Sequence, residues 1–84
     1  MNNIKFLKKG IKVNDEYYPV FYSLGAIVDG IEHLTIYAKS IIKGLPKELN
    51  PENNSDAMTD YFETDKIRFA KGTKMFNELS KFCS

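Results

Sequence analysis

Apolar and polar residues alternate with a period of two over much of this chain and pass to a three-to-four spacing near its end. The first pattern marks strands with one buried face, the second an amphipathic helix. Between Ile4 and Val13 the apolar positions are Ile4, Phe6, Leu7, Ile11 and Val13, with the alternation interrupted at Lys8-Lys9-Gly10. Gly10 suits a β-bulge there, because a residue without Cβ costs least at such a kink. Asn14-Asp15 supplies turn chemistry, since both residues tolerate left-handed backbone. The run Tyr17-Tyr18-Pro19-Val20-Phe21-Tyr22 that follows is rich in strand formers. A hairpin of strands 3–13 and 16–23 is predicted, with Pro19 at an edge or bulge because it cannot donate to a ladder.

Residues 25–30 mix turn formers with apolar side chains and read as a connection. Residues 31–45 carry two patterns. Ile31, Leu34, Ala38, Ile41, Ile42 and Leu45 fit a helical stripe, whereas Leu34-Thr35-Ile36-Tyr37-Ala38-Lys39 alternates and is β-branched and aromatic. The alternation predicts a third strand over 34–39, turning at Lys43-Gly44-Leu45-Pro46, with a helix over 31–43 as the alternative. Residues 46–54 hold two prolines and three asparagines and predict an extended loop. Asn54 or Ser55 then caps a short helix over 55–63, with Asp56 in the first turn, where the helix dipole favours negative charge. Lys66-Ile67-Arg68-Phe69-Ala70 reads as a short strand ended by Gly72. Thr73 caps a last helix in which Met75, Phe76, Leu79, Phe82 and Cys83 form the apolar stripe. The expected fold class is α+β over a single domain, 1–84. It comprises a small antiparallel sheet, the N-terminal hairpin plus one or two further strands, packed against a C-terminal amphipathic helix.

Composition sharpens this. An apolar fraction of 43% and an aromatic fraction of 13% exclude a disordered chain. With 84 residues the core is thin, and a homodimer or another partner would supplement it. The net charge of +1 names no partner, but its distribution is uneven. Lys5, Lys8, Lys9 and Lys12 form a run without acids, while residues 50–65 hold Glu52, Asp56, Asp60, Glu63 and Asp65 and no base. A single cysteine, Cys83, allows no internal disulfide, and with a single histidine, His33, it excludes a Cys/His metal cluster. The N-terminus lacks the apolar run of about 7–15 residues that a signal peptide needs. No stretch approaches the ~20 apolar residues of a membrane span. A reducing, cytoplasmic setting with no membrane partner is expected.

Candidate chemistry is sparse. His33 has no neighbouring nucleophile, and Cys83 falls on an apolar stripe rather than in the electropositive setting of a reactive thiol. On a helix over 55–63, Asp56 and Asp60 would stand at i and i+4, and Asp60 and Glu63 at i and i+3. Such a pair suits Mg²⁺ or Ca²⁺, or acid/base work, but no EF-hand pattern or third group completes a site. No catalytic residue, metal or cofactor is therefore expected, and a small carboxylate-metal enzyme stays a distant alternative. The acidic stretch reads instead as a partner-binding face, with Glu52, Asn53, Asn54, Asp56, Asp60, Glu63 and Asp65 docking on a basic protein surface. The alternative is a single-stranded nucleic-acid binder. Lys5, Lys8, Lys9 and Lys12 would neutralise phosphates, and Tyr17, Tyr18 and Tyr22 would stack on bases.

One resemblance bears on this choice. The ordered set Tyr17-Tyr18-Pro19-Val20-Phe21-Tyr22-Ser23, Leu34-Thr35-Ile36-Tyr37-Ala38, the segment from Leu45 to Asp56, and Met58-Thr59-Asp60-Tyr61-Phe62 with Asp65 and Arg68-Phe69 resembles small uncharacterised proteins of tailed bacteriophages and other mobile elements. The Asn-Asn-Ser-Asp to Asp-Tyr-Phe part is its most specific portion. The resemblance implies a phage or prophage origin, the cytoplasm of a bacterial host, and no enzymatic activity to carry over. By analogy of context it suggests an inhibitor or modulator of a host protein, defence nucleases included.

Overall fold

A computed structural model describes residues 3–42, 44–50, 52 and 60–83. In chain order the elements are β1 (Ile4–Leu7), β2 (Gly10–Val13), β3 (Glu16–Val28), β4 (Ile31–Ala38), β5 (Tyr61–Glu63), β6 (Lys66–Ala70) and α1 (Lys74–Leu79). Short 3-10 turns occupy Lys47–Leu49 and Ser80–Cys83. The strands form one antiparallel sheet in the order β1-β2-β3-β4-β6-β5.

Turn chemistry sets the meander. Asn14 and Asp15 (φ 50° and 72°) join β2 to β3, and Asp29 and Gly30 (φ 53° and 79°) join β3 to β4. Positive φ at both central residues gives a turn whose twist matches the flanking strands. The long β3 serves two neighbours: residues 16–19 pair with β2, and residues 20–28 pair with β4 across an irregularity between Ser23 and Ala26. Pro19 stands at the handover, the last residue facing β2, where no ladder requires its missing N–H.

The sheet curls strongly. Four strand spacings separate β1 from β6, about 19 Å in a flat sheet, yet the rings of Phe6 and Phe69 meet edge-on at 6.4 Å. Ile11, Val13 and Val20 are thereby folded over Leu34, Ile36, Ile67 and Phe69, all fully buried. Phe76 and Leu79 of α1 and Leu45 and Leu49 of the β4–β5 connection close the cluster. Each large apolar side chain buried this way contributes about 1.5–3 kcal/mol. Thr73 starts α1 as expected: its Oγ1 accepts the Phe76 N–H at 3.2 Å and donates to the Ala70 carbonyl at 2.8 Å.

The α+β class and the packing of a C-terminal helix on an antiparallel sheet agree with the sequence reading, although α1 is short. Several details differ. Residues 3–13 form two strands rather than one, because Lys8-Lys9 reverses the chain and places Gly10 opposite Leu7 within a regular ladder. Gly10 makes no bulge; it lies under the Tyr17 ring, which a Cβ there would displace. Residues 25–28 belong to β3, and only Asp29-Gly30 turns. The stretch 31–38 is a strand, so the helical alternative fails: both neighbours, β3 and β6, extend its period-two pattern. The helix expected over 55–63 does not include its last residues, since Tyr61–Glu63 pair with β6 as an edge strand. Residues 53–59 lie outside the described residues. The sheet therefore exceeds the three or four strands expected.

Candidate functional site

Two surfaces bring chemistry-bearing residues together. The first is the outside of the β1–β2 hairpin. Alternation sends Ile4, Phe6, Ile11 and Val13 inward and leaves Lys5 and Lys12 outside, directly opposite each other. Like charges in that position repel. Tyr17 continues the row beyond Lys12, exposed, with its hydroxyl donating to the Lys9 carbonyl at 3.1 Å. At the hairpin turn Lys8 and Lys9 face Lys39 across a groove of about 290 Å³ whose walls include Phe21 and Phe82. Lys5, Lys8, Lys9, Lys12 and Lys39 are all exposed and form no ion pair among the described residues.

The second surface is the face of β3, β4, β6 and β5 opposite the core. Registered pairs place its residues in rows across the strands. Phe21, Tyr37, Lys66 and Glu63 form one row; Ser23, Thr35, Arg68 and Tyr61 form the next; Ala26, His33 and Ala70 follow. Phe21 stacks on Tyr37 with ring centroids 4.9 Å apart and an interplanar angle of 17°. The Arg68 guanidinium lies 5.3 Å from the centre of the Tyr61 ring, and its Nε donates to Thr35 Oγ1 at 3.4 Å. Beyond this row a hollow of about 480 Å³ opens beside His33 and Asp60, with Val28 and Ile31 of the β3–β4 tip as its apolar wall. Phe21 belongs to both surfaces and joins them.

The predicted acidic face is only partly available. Asp60 accepts the Ala70 N–H through Oδ2. Glu63 pairs with Lys66 at 3.2 Å and accepts the Tyr61 hydroxyl. Both carboxylates therefore hold the β5–β6 end of the sheet together. Glu52 is exposed, its N–H bonded to Asn50 Oδ1 at 3.0 Å, and Asp65 is exposed in the β5–β6 turn. Asn53, Asn54 and Asp56 lie outside the described residues. Among the described residues no three His, Cys, Asp or Glu side chains come together as a metal site.

The three tyrosines proposed for base stacking separate. Tyr17 lies over Gly10 with its hydroxyl on the Lys9 carbonyl and keeps about half of its surface exposed. Tyr18 is half-buried and donates to Glu16 at 2.7 Å, which raises its pKa, with burial adding to the effect. Tyr22 is structural: its hydroxyl lies 2.6 Å from the Leu7 carbonyl and 3.2 Å from that of Gly10, and its ring packs on Phe82 at 5.0 Å. Burial pushes the Tyr22 hydroxyl well above the ordinary phenol value. Burial likewise pushes the Cys83 thiol up, away from a reactive thiolate. Sequence reading missed Phe21, Tyr37, Lys39 and Arg68. The available signal was parity: with 34–39 and 66–70 side by side, Thr35, Tyr37, Lys66 and Arg68 fall on the face opposite Leu34, Ile36, Ile67 and Phe69.

Comparison of the chain with protein families, curated proteins and solved structures finds no match. Fold and surface thus define a class only, a small curled antiparallel sheet capped by a short helix. No helix among the described residues is long and apolar enough to cross a membrane.

Proposed function

We propose that this chain is a non-enzymatic binding module whose partner is single-stranded nucleic acid. One observation carries the reading: lysines without an internal partner converge on a groove whose aromatic wall, Phe21, continues onto an open sheet face. Single strands are held by this combination, cations along the phosphates and aromatic rings under the bases. From Lys39, just past the end of β4, to His33 the track runs about 20 Å, long enough for several nucleotides. A near-neutral total charge is compatible, because four lysines (Lys5, Lys8, Lys9 and Lys12) share the β1–β2 hairpin with no acid among them. Fluorescence anisotropy with a labelled oligothymidylate tests the reading. Micromolar binding that weakens as salt rises is expected, and no binding at low salt would remove it.

A second reading retains the acidic stretch as a dock for a basic host protein, in keeping with a phage-encoded inhibitor. The exposure of Glu52 and Asp65, neither in an ion pair among the described residues, favours it. Replacing both by Ala should then abolish capture of that partner without altering oligonucleotide binding.

A further inference from the structure

The chain's only arginine and only histidine stand together in the hollow on the open sheet face. Its polar lining is Asp29, His33, Asp60, Tyr61 and Arg68, two carboxylates and one guanidinium among them, and Val28 and Ile31 supply the apolar part. Arg68 is steered by its Nε–H to Thr35 and by the Tyr61 ring, which leaves the terminal nitrogens of its fork without a partner among the described residues. Asp60 is anchored through one carboxylate oxygen to the Ala70 N–H, which leaves the other as an acceptor. Arg68 and Asp60 line the same hollow yet form no ion pair with each other. His33, 7% exposed, has Nδ1 2.9 Å from the Ile31 carbonyl. A carbonyl only accepts, so Nδ1 carries the hydrogen, and in the neutral ring Nε2 is a second acceptor.

A ligand that satisfies this set presents acceptors to the guanidinium fork, donors to the free oxygen of Asp60 and to His33, and a flat apolar body to Val28 and Ile31. Among the four bases, guanine alone offers two adjacent acceptors, N7 and O6, beside two adjacent donors, the N1–H and the 2-amino group. An arginine fork on N7 and O6 is the commonest specific contact to a base. Resting on the single-strand reading above, we infer that the hollow is a guanine pocket, giving an otherwise sequence-tolerant track a preference for one base. The hollow of about 480 Å³ accommodates a nucleoside.

The test uses the full chain and oligothymidylates carrying one central G, A, C, 7-deazaguanine or hypoxanthine. Guanine should tighten binding by about tenfold over thymine, with 7-deazaguanine and hypoxanthine each losing most of that gain. Arg68→Lys keeps the charge but not the fork. Asp60→Asn keeps an acceptor for the Ala70 N–H while presenting donors to a ligand that also offers donors. Both variants should retain wild-type circular dichroism and bind the guanine-containing strand no more tightly than the same variant binds oligothymidylate. Equal binding of all five bases would overturn the pocket while leaving the single-strand reading intact. Failure of every oligonucleotide to bind would overturn the reading itself. Free GMP binding as tightly as the guanine-containing strand would reject the strand as the source of the base.

Discussion

The lysine groove makes a quantitative demand on salt dependence. Each phosphate neutralised on a single strand contributes about −0.7 to the slope of log affinity against log salt. Lys8, Lys9 and Lys39 line one groove, so three contacts give a slope of about −2.1. Raising salt from about 50 to about 150 mM then weakens binding about tenfold. If Lys5 and Lys12 also engage the strand, the slope steepens to about −3.5 and the loss to about fiftyfold. Replacing Lys8, Lys9 and Lys39 together by Gln should flatten the slope by about 2. The fold should survive, because the three side chains are exposed and form no ion pair among the described residues. Lys74→Gln is the control, a lysine on α1 opposite Glu78 at 4.0 Å, and should leave the slope unchanged. Anisotropy titrations at four salt concentrations supply the slopes. A wild-type slope shallower than about −1, or a triple variant with the wild-type slope, would refute the assignment of the groove to phosphate.

Two further predictions concern the scaffold. Tyr22→Phe removes the hydroxyl shared by the Leu7 and Gly10 carbonyls and should cost about 1–2 kcal/mol near neutral pH. The raised pKa of Tyr22 makes its contribution complete below about pH 10 and progressively lost above it, as the unfolded phenol ionises and the folded one does not. By pH 11 wild type should therefore have lost stability that the variant never had, on the order of 1 kcal/mol once the partial exposure of the ring is allowed for. Urea unfolding of both proteins at pH 8 and pH 11 checks this, and a constant gap would contradict it. At Gly44, φ is +96° and an added Cβ would meet the Thr64 carbonyl that accepts the Leu45 N–H, whereas Gly72 has φ +98° and open space. Gly44→Ala should cost about 2–3 kcal/mol against about 1 for Gly72→Ala, so equal urea midpoints would show that the close approach is unimportant.

What the sequence made legible was local, and what it hid was topological. The pattern over 66–70, the Thr73 cap and the apolar stripe of the last helix each encode their structure within a few residues. The Asp29-Gly30 pair carried as strong a local signal, a positive-φ turn between apolar runs, but the glycines at 25 and 30 made the whole interval read as a connection. In the structure Gly25 (φ +105°) falls at the irregularity of a continuing strand. The open face depends on strand order. β6 lies between β4 and β5, so Arg68 reaches both Thr35 and Tyr61, residues far apart in the chain. No local periodicity specifies that insertion. Its consequence for function follows from charge: the same β5–β6 pairing engages Asp60 and Glu63 through Ala70 and Lys66, whereas the β1–β2 turn leaves its lysines facing solvent and one another. A chain that looks balanced by sum, with an acidic segment as its conspicuous feature, thus presents unpaired positive charge beside exposed aromatic rings. The acidic segment meanwhile contributes Asp60 to the hollow that Arg68 and His33 also line.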